Sequence, residues 1–170
     1  MQLLIVRHAI AEERQTFAKT GKDDAERPLT PAGRRKFKEA ARGLRKIAPS
    51  IDLLATSSLV RAIETGDVLK KVYGLRDAVR LRELEPSANP AALGRWLRKQ
   101  RRHADVASVV GHEPHLSALV EYLLTGARGG FIALGKGGAC LIDLGEGNGK
   151  REPSELRWLL TPAQLRRLGR

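Results

Sequence analysis

The sequence is poor in residues on which several classes of protein depend. It contains a single cysteine, Cys140, so no disulfide can form within the chain, and its apolar neighbours indicate a small buried thiol rather than a nucleophile. Aromatic residues are limited to two Trp, two Tyr and three Phe, which leaves little for stacking nucleic-acid bases. No apolar run approaches the roughly eighteen residues of a membrane span, and the N-terminal run is too short for a signal peptide. We expect a soluble, cytoplasmic protein without a membrane partner.

Recognisable metal and nucleotide motifs are also missing. His103, His112 and His115 do not have the spacing of zinc ligands. The glycines between Gly126 and Gly138 follow neither the GxxxxGK[ST] nor the GxGxxG pattern, and they indicate a flexible connection. We therefore expect neither a metal ion nor a cofactor.

Positive charge is abundant. The chain carries 31 Lys and Arg against 19 Asp and Glu, a formal net charge of +12. The basic clusters at 34–36, 98–103 and 166–167 fall mostly on polar faces of predicted helices, so we interpret them as solvated surfaces able to steer an acidic protein partner. A basic binding protein without turnover, with an acidic or nucleic-acid partner, remains an alternative, although nucleic acid is the weaker one. We expect a monomer.

The apolar patterns predict an α/β fold. Strands are predicted near 2–7, 52–56, 106–110, 139–144 and 155–160, and helices near 31–48, 59–73, 90–100 and 114–124. Thr30-Pro31, Asn89-Pro90 and Thr161-Pro162 each mark the start of a helix. This alternation over 170 residues predicts one domain, 1–170, with three αβα layers and a mostly parallel sheet covered by helices on both faces. The polar segment 12–27 is predicted to be a loop beside the functional site.

Charged and polar residues follow three of the predicted strands. The apolar run Leu3 to Val6 stops at Arg7 and His8, and in open parallel sheets ligands bind outside the carboxyl ends of the strands. An arginine offers a planar fork of donors suited to phosphate oxygens. A neutral histidine beside it can act as a nucleophile or carry a proton near neutral pH.

The second and third strand ends repeat this arrangement. Ser57 or Ser58 is predicted to cap a helix whose first turn contains Arg61. A cation there opposes the helix dipole at a cost of about 0.3–1 kcal/mol, so its position indicates an anionic ligand. His112 follows the third strand, and Pro114 suits the first position of the next helix.

In this order and spacing, Arg7-His8, Arg61 and His112 resemble the histidine phosphatase superfamily, and most closely its short bacterial SixA-type phosphohistidine phosphatases. Four further segments carry the same resemblance along nearly the whole chain: Arg27-Pro28-Leu29-Thr30 with Gly33, Ser57 to Thr65, Gly111 to Pro114, and Lys136 to Ala139. Ala9 departs from the pattern, because many members have glycine after the histidine. The resemblance implies a phosphoglycerate mutase-like αβα fold.

The resemblance also implies a mechanism. His8 would attack phosphorus and become phosphohistidine, while Arg7, Arg61 and a protonated His112 surround the phosphoryl oxygens without a metal. Water would then release phosphate. Glu83 best matches the acidic position of the superfamily that protonates the leaving group. Two other carboxylates, Glu85 and Glu113, compete for this role.

The sequence indicates the substrate less directly than it indicates the mechanism. An imidazole leaves more readily than an alcohol, so a phosphohistidine substrate needs less help from an acid than a phosphate ester. This favours a phosphohistidine on a signalling or phosphotransfer protein. A small phosphorylated metabolite is the alternative. Arg27 is predicted to contact either the substrate or the acids of its own loop, and Ser57 is a further candidate substrate contact.

Overall fold

A six-stranded sheet runs through the computed structural model, which describes residues 1–127, 130–145 and 154–170. Its strands are β1 (Gln2–Arg7), β2 (Leu53–Thr56), β3 (Val79–Arg80), β4 (Val106–Gly111), β5 (Ala139–Asp143) and β6 (Glu155–Leu160). They lie side by side in the order β3-β2-β4-β1-β5-β6. Only β5 runs opposite to the others, since it pairs antiparallel with both β1 and β6. The predicted mostly parallel sheet is confirmed.

Helices cover both faces of this sheet. They are α1 (Arg14–Ala18), α2 (Pro31–Ile47), α3 (Val60–Tyr73), α4 (Pro90–Gln100), α5 (His115–Thr125) and α6 (Pro162–Leu168). Leu4 and Val6 of β1 point to one core, which is shared with α2, α3 and α6. The alternate residues Leu3 and Ile5 point to the opposite core, shared with α4 and α5. This confirms the three-layer αβα architecture.

The predicted helix starts are confirmed by their capping hydrogen bonds. The Thr30 side chain accepts from the backbone N–H of Gly33, and that of Asn89 accepts from Ala91. Thr161 and Gln164 form a reciprocal capping box. In each case a proline occupies the first helical turn, where its missing N–H costs no hydrogen bond.

Other local predictions differ from the structure. Neither Ser57 nor Ser58 caps α3, which begins at Val60 with Leu59 in the capping position and no side-chain cap. Pro114 precedes α5 instead of opening it. The segment 12–27 is not wholly a loop, because buried Phe17 anchors the short helix α1 and a 3-10 turn spans Asp24–Glu26. Strand β3 was not predicted because its two residues are exposed and too few to show a pattern.

Neither a membrane-spanning helix nor a metal-binding group of side chains occurs in the part of the chain that the structure describes. No described helix is both long and apolar enough to cross a bilayer, and no three His, Cys, Asp or Glu side chains there could jointly hold a metal ion. Cys140 is fully buried in β5, and this burial raises the pKa of its thiol to about 12, as expected for an inert cysteine. Of the predicted flexible connection at 126–138, residues 128 and 129 lie outside the described residues.

Candidate active site

Parallel pairing of β1 with β4 brings two histidines together. Arg7 lies opposite Gly111 in the register, and the backbone N–H of His8 continues the ladder to the Gly111 carbonyl at 3.0 Å. His8 and His112 each follow their strand directly, so both reach the same edge of the sheet. Their ring centroids are 5.0 Å apart at an angle of 50°. The structure thus brings together the two histidines that the sequence placed at strand ends.

The hydrogen bond of His8 fixes which of its ring nitrogens is available. Nδ1 lies 2.7 Å from the carbonyl oxygen of Ala9. A carbonyl can only accept, so Nδ1 carries the proton and donates it. In the neutral ring Nε2 is then unprotonated and holds the lone pair that a nucleophile needs. His8 is 6% exposed, so its ring has little room to change orientation.

Burial keeps both imidazoles neutral at pH 7. The pKa of His8 is lowered to about 4, chiefly by burial and further by the charges of Arg61, Arg7 and Arg27, against the opposing hydrogen bond to Ala9. Burial and the neighbouring charges lower the pKa of His112 to about 3. With only protein groups around it, His112 is therefore a neutral ring, and the imidazolium expected around a bound phosphoryl group stays a prediction.

Arg61 is held beside His8 by one buried threonine. Arg61 lies in the first turn of α3, as predicted, and is 3% exposed. The hydroxyl of Thr65, one turn further along the helix, donates to the Arg61 carbonyl at 2.6 Å and accepts from the backbone N–H of Ala9 at 3.0 Å. Thr65 therefore ties the start of α3 to the residue that follows His8. The role of this threonine was not predicted, although its i+4 spacing from Arg61 is the sequence signal that indicates it.

Several buried polar atoms of the site have no hydrogen-bond partner within the described residues. They are Nε of Arg7, Nε of Arg61 and Nδ1 of His112. To the described residues the Arg7 guanidinium makes one hydrogen bond, from Nη1 to the Leu134 carbonyl at 2.6 Å. Burial lowers the pKa of both arginines, but a guanidinium remains charged in proteins. A buried donor without an acceptor is costly, and an anion bound beside these two guanidiniums would offset that cost.

Asp24 is a member of the site that sequence reasoning missed. Its carboxylate lies 2.8 Å from Nε of Arg27, 3.2 Å from Nη2 of Arg61 and 3.4 Å from Nε of Arg14, and its carbonyl accepts from Arg61 Nη1 at 2.8 Å. Partial burial opposes ionisation of Asp24. The hydrogen bond from Arg27 and the positive charges of Arg61, Arg27 and Arg14 outweigh that effect and lower its pKa. Asp24 thus balances part of the positive charge of the site.

Arg27 makes one of its two predicted contacts, that with an acid of its own segment, and its contact with a substrate stays a prediction. Its guanidinium binds Asp24, the acid of its own segment, and donates to the Glu12 carbonyl at 2.7 Å. Arg27 is nearly buried, and its charge still reaches His8, whose pKa it helps to lower. Its observed contacts therefore order the segment 12–27 beside the site.

Gly33, three residues after the Arg-Pro-Leu-Thr motif, allows two backbone segments near the site to approach each other closely. The Ile10 carbonyl, two residues after His8, accepts from the backbone N–H of Thr30 at 3.0 Å. A Cβ on Gly33 would lie 2.1 Å from that same carbonyl oxygen. Because glycine has no Cβ, the first turn of α2 can lie this close to the backbone of Ile10.

Ser57 contacts a histidine instead of capping α3, while its predicted contact with substrate stays a prediction. Its hydroxyl is 2.6 Å from Nε2 of His112, and the residue is completely buried at the end of β2. A hydroxyl can donate or accept, so this bond holds the ring in place whichever nitrogen carries the proton. Ser57 is therefore a positioning residue for His112.

The three candidate acids have different environments. Glu113 accepts from the Ser117 hydroxyl and, at 2.9 Å, from the backbone N–H of Leu134. Glu85 accepts from the Ser58 hydroxyl at 2.7 Å. Glu83 is half-buried in a 3-10 turn beside the end of β2 and makes no hydrogen bond or ion pair to any described residue. Among the three, only Glu83 has its carboxyl uncommitted.

The sequence comparisons assign the chain to a family. The model of the histidine phosphatase superfamily (branch 1) matches residues 3–87, a range that includes Arg7, His8 and Arg61. An uncharacterized protein of Picosynechococcus sp. is 31% identical over 140 residues, which cover 81% of this chain and 82% of that protein. The chain belongs to the histidine phosphatase superfamily.

Solved structures share the fold. The protein histidine phosphatase SixA, complexed with tungstate, is similar with a TM-score of 0.80 and 22% identity, covering 97% of this chain and 99% of that one. A phosphoserine phosphatase mutant from Entamoeba histolytica, in complex with phosphoserine, is similar with a TM-score of 0.68 and 16% identity, covering 95% and 97%. The family indicates a phosphatase, and the neighbours act on different substrates.

The low pKa values of the two histidines can be measured directly. We expect NMR titration of the ring resonances to show His8 and His112 neutral down to about pH 5, because burial disfavours their charged forms. Loss of one set of signals in His8→Ala and of another in His112→Ala assigns them. Titration of either ring near the ordinary value of about 6.5 would contradict this reading.

Ser57→Ala tests the positioning of His112. Because this change removes the hydroxyl that contacts Nε2, we expect phosphatase activity to fall about tenfold, equivalent to about 1.4 kcal/mol. Ser58→Ala is the matched control, since its exposed hydroxyl contacts Glu85 instead. The measurement is kcat for hydrolysis of p-nitrophenyl phosphate. Equal effects of the two substitutions would exclude a special role for Ser57.

Proposed function

We propose that this chain hydrolyses phosphohistidine on a signalling or phosphotransfer protein, by way of a phosphohistidine intermediate on His8. The observation that carries the proposal is the state of His8. Its ring is neutral with Nε2 unprotonated, and it lies among guanidiniums whose buried Nε donors have no hydrogen-bond partner in the described part of the chain. A nucleophile and an anion-binding environment therefore share one edge of the sheet.

The first chemical step forms the phosphoenzyme. The lone pair of His8 Nε2 attacks phosphorus, the P–N bond to the substrate imidazole breaks, and the leaving nitrogen keeps the bonding electrons and gains a proton. Arg7 and Arg61 neutralise the charge on the equatorial oxygens. An incoming phosphoryl dianion raises the pKa of His112, so this ring can take up a proton and donate to the same oxygens.

The second step regenerates the enzyme. A water oxygen attacks phosphorus, the bond from phosphorus to His8 Nε2 breaks, and inorganic phosphate leaves with the water-derived oxygen. The hydrogen bond from Nδ1 to the Ala9 carbonyl persists through both steps and keeps the ring aimed at phosphorus. None of these steps requires a metal ion, which makes resistance to chelators part of the proposal.

Glu83 is the proposed source of the proton for the leaving group. Glu85 and Glu113 are each engaged in hydrogen bonds, whereas the Glu83 carboxyl has no hydrogen bond or ion pair to the residues that the structure describes. Imidazole requires less help from an acid than an alcohol does, because it is the better leaving group. An enzyme for phosphohistidine therefore depends less on this residue than an enzyme for esters.

A phosphatase for small phosphate esters is the alternative, favoured by the fold shared with a phosphoserine phosphatase. It uses the same nucleophile and the same cations, so the two functions differ in the leaving group and in the surface around the site. Only the relative rates on the two kinds of substrate distinguish them.

The first test compares two substrates in the presence of a chelator. We expect wild-type protein to release phosphate from a histidine phosphotransfer domain phosphorylated on its histidine, and to do so with a higher kcat/KM than from p-nitrophenyl phosphate. His8→Ala should abolish release from both, because Nε2 is the attacking atom, whereas the matched control His103→Ala, an exposed histidine, should retain it. Release from the ester alone would move the assignment to a small-molecule phosphatase. Absence of His8-dependent release from either substrate would favour the binding protein without turnover.

Glu83→Gln tests the acid and the substrate class together. We expect hydrolysis of O-phosphoserine, which has a poor leaving group, to fall about 10²-fold, and hydrolysis of phosphohistidine to fall far less. Glu85→Gln is the control, since its carboxyl is bound to Ser58. The readout is the ratio of kcat values for the two substrates. An equal loss on both would remove Glu83 from the role of acid and suggest a structural one.

A further inference from the structure

A basic groove lies between α2 and α3, away from the chemistry of the site. It has a volume of about 530 Å³. Its floor is apolar and its rim is positively charged. The floor consists of Leu29, Pro31, Val68 and Val72, and the rim of the basic residues Arg34, Arg35, Lys38 and Lys71 together with Asp67, which pairs with Lys70 at 3.0 Å. We call this surface the α2–α3 groove.

The positive charge of the rim is largely uncompensated. Arg34 pairs with Glu64, whose carboxylate oxygen is 2.5 Å from Nη2. Arg35, Lys38 and Lys71 are exposed, and none of them forms an ion pair with a carboxylate of the described residues. A second cavity of about 510 Å³, which shares Arg34, Asp67 and Lys71 with the first, continues the groove along α3 to Arg76. Charge complementarity therefore calls for an acidic partner.

The groove is joined to the active site through Glu64. One carboxylate oxygen of Glu64 accepts from the backbone N–H of Leu29 at 2.7 Å, and the other binds Arg34. Glu64 is three residues from Arg61 on α3, and Val68 in the floor is seven residues from it, about 10 Å along the helix. A partner in the groove would therefore lie within one or two helical turns of the phosphate-binding cations.

We propose that the α2–α3 groove docks the phosphohistidine protein itself, through an acidic amphipathic helix on that protein's surface. The inference rests on the proposed function and specifies how its substrate is recognised. Apolar side chains of the partner helix cover Leu29, Val68 and Val72, while its flanking carboxylates meet Arg35, Lys38 and Lys71. The apolar floor favours a protein over a nucleic acid, because a phosphate backbone offers nothing to cover it.

The test reverses charge in the groove and, separately, on the opposite face of the sheet. The groove variant is Arg35→Glu, Lys38→Glu and Lys71→Glu. The matched control is Arg95→Glu, Arg98→Glu and Lys99→Glu, three exposed positions on α4. Both variants change the net charge by the same amount, so a difference between them reports position rather than total charge.

Two substrates are compared, an acidic histidine phosphotransfer domain phosphorylated on its histidine and the free amino acid phosphohistidine. We expect the groove variant to lose about tenfold or more in kcat/KM on the domain, mostly in KM, and to keep its activity on the free amino acid. The control should lose less than about threefold on the domain. Added salt should lower the kcat/KM of the wild type on the domain and have little effect on the groove variant.

The outcomes separate failure of docking from failure of the proposed function. Equal losses in the two variants, with the wild type active on the domain, overturn docking at the groove and leave the phosphohistidine activity in place. No release from the domain by the wild type overturns the proposed function and the docking inference with it. Binding of a single-stranded oligonucleotide that weakens in the groove variant, while turnover of the domain is unaffected, would assign the groove to nucleic acid instead.

Discussion

Parallel alignment of β1 with β4 is the constraint on which the rest of the site depends. Their register sets Arg7 opposite Gly111, and one further backbone hydrogen bond fixes His8 beside the start of the loop that carries His112. A slip of one residue would turn the side chains of β1 to the opposite faces of the sheet and separate the two rings. The buried run Leu3 to Val6 is bounded by the half-buried polar residues Gln2 and Arg7, so a slip would draw one of these polar side chains into a core. The packing of the sheet thus determines the 5.0 Å separation of the histidines.

The electrostatics of the site meet two requirements at once. A histidine can attack phosphorus only when its ring is neutral, whereas a phosphoryl group binds best among positive charges. Burial and the nearby guanidiniums lower the pKa of His8, so in the proposed mechanism the charges that attract the substrate also keep the nucleophile unprotonated. Concentrated positive charge destabilises the fold unless part of it is balanced. Asp24 provides that balance, because its carboxylate binds Arg61 and Arg27 on the side of the segment 12–27.

The fold and the main site could be predicted from sequence because their signals are local. Apolar runs ending at Arg7, Ser57 and His112 indicate strand ends, and parallel strands bring such ends to one edge. Side-chain contacts between residues that are far apart in the sequence could not be predicted in this way. Ser57 is a good capping residue by type, yet its hydroxyl contacts a histidine 55 residues away. Asp24 is one acid among several in a polar segment, and only the folded path of that segment shows which arginines it meets.

The segment from Asp24 to Pro31 joins phosphate binding to the α2–α3 groove. At one end Asp24 holds the guanidinium of Arg61, and at the other Leu29 and Pro31 line the groove. Between these two ends the segment is fixed to other parts of the same protein. The backbone N–H of Glu12 donates to the Pro28 carbonyl at 2.9 Å, and the Glu64 carboxylate accepts from the backbone N–H of Leu29. Because Glu64 and Arg61 lie on successive turns of α3, contacts in the groove and contacts with the phosphoryl group act on the same helix. In the proposed docking, a substrate protein that fills the groove would press on the elements that hold Arg61 in place, and recognition of the protein would thereby reach the charge proposed to bind its phosphoryl group.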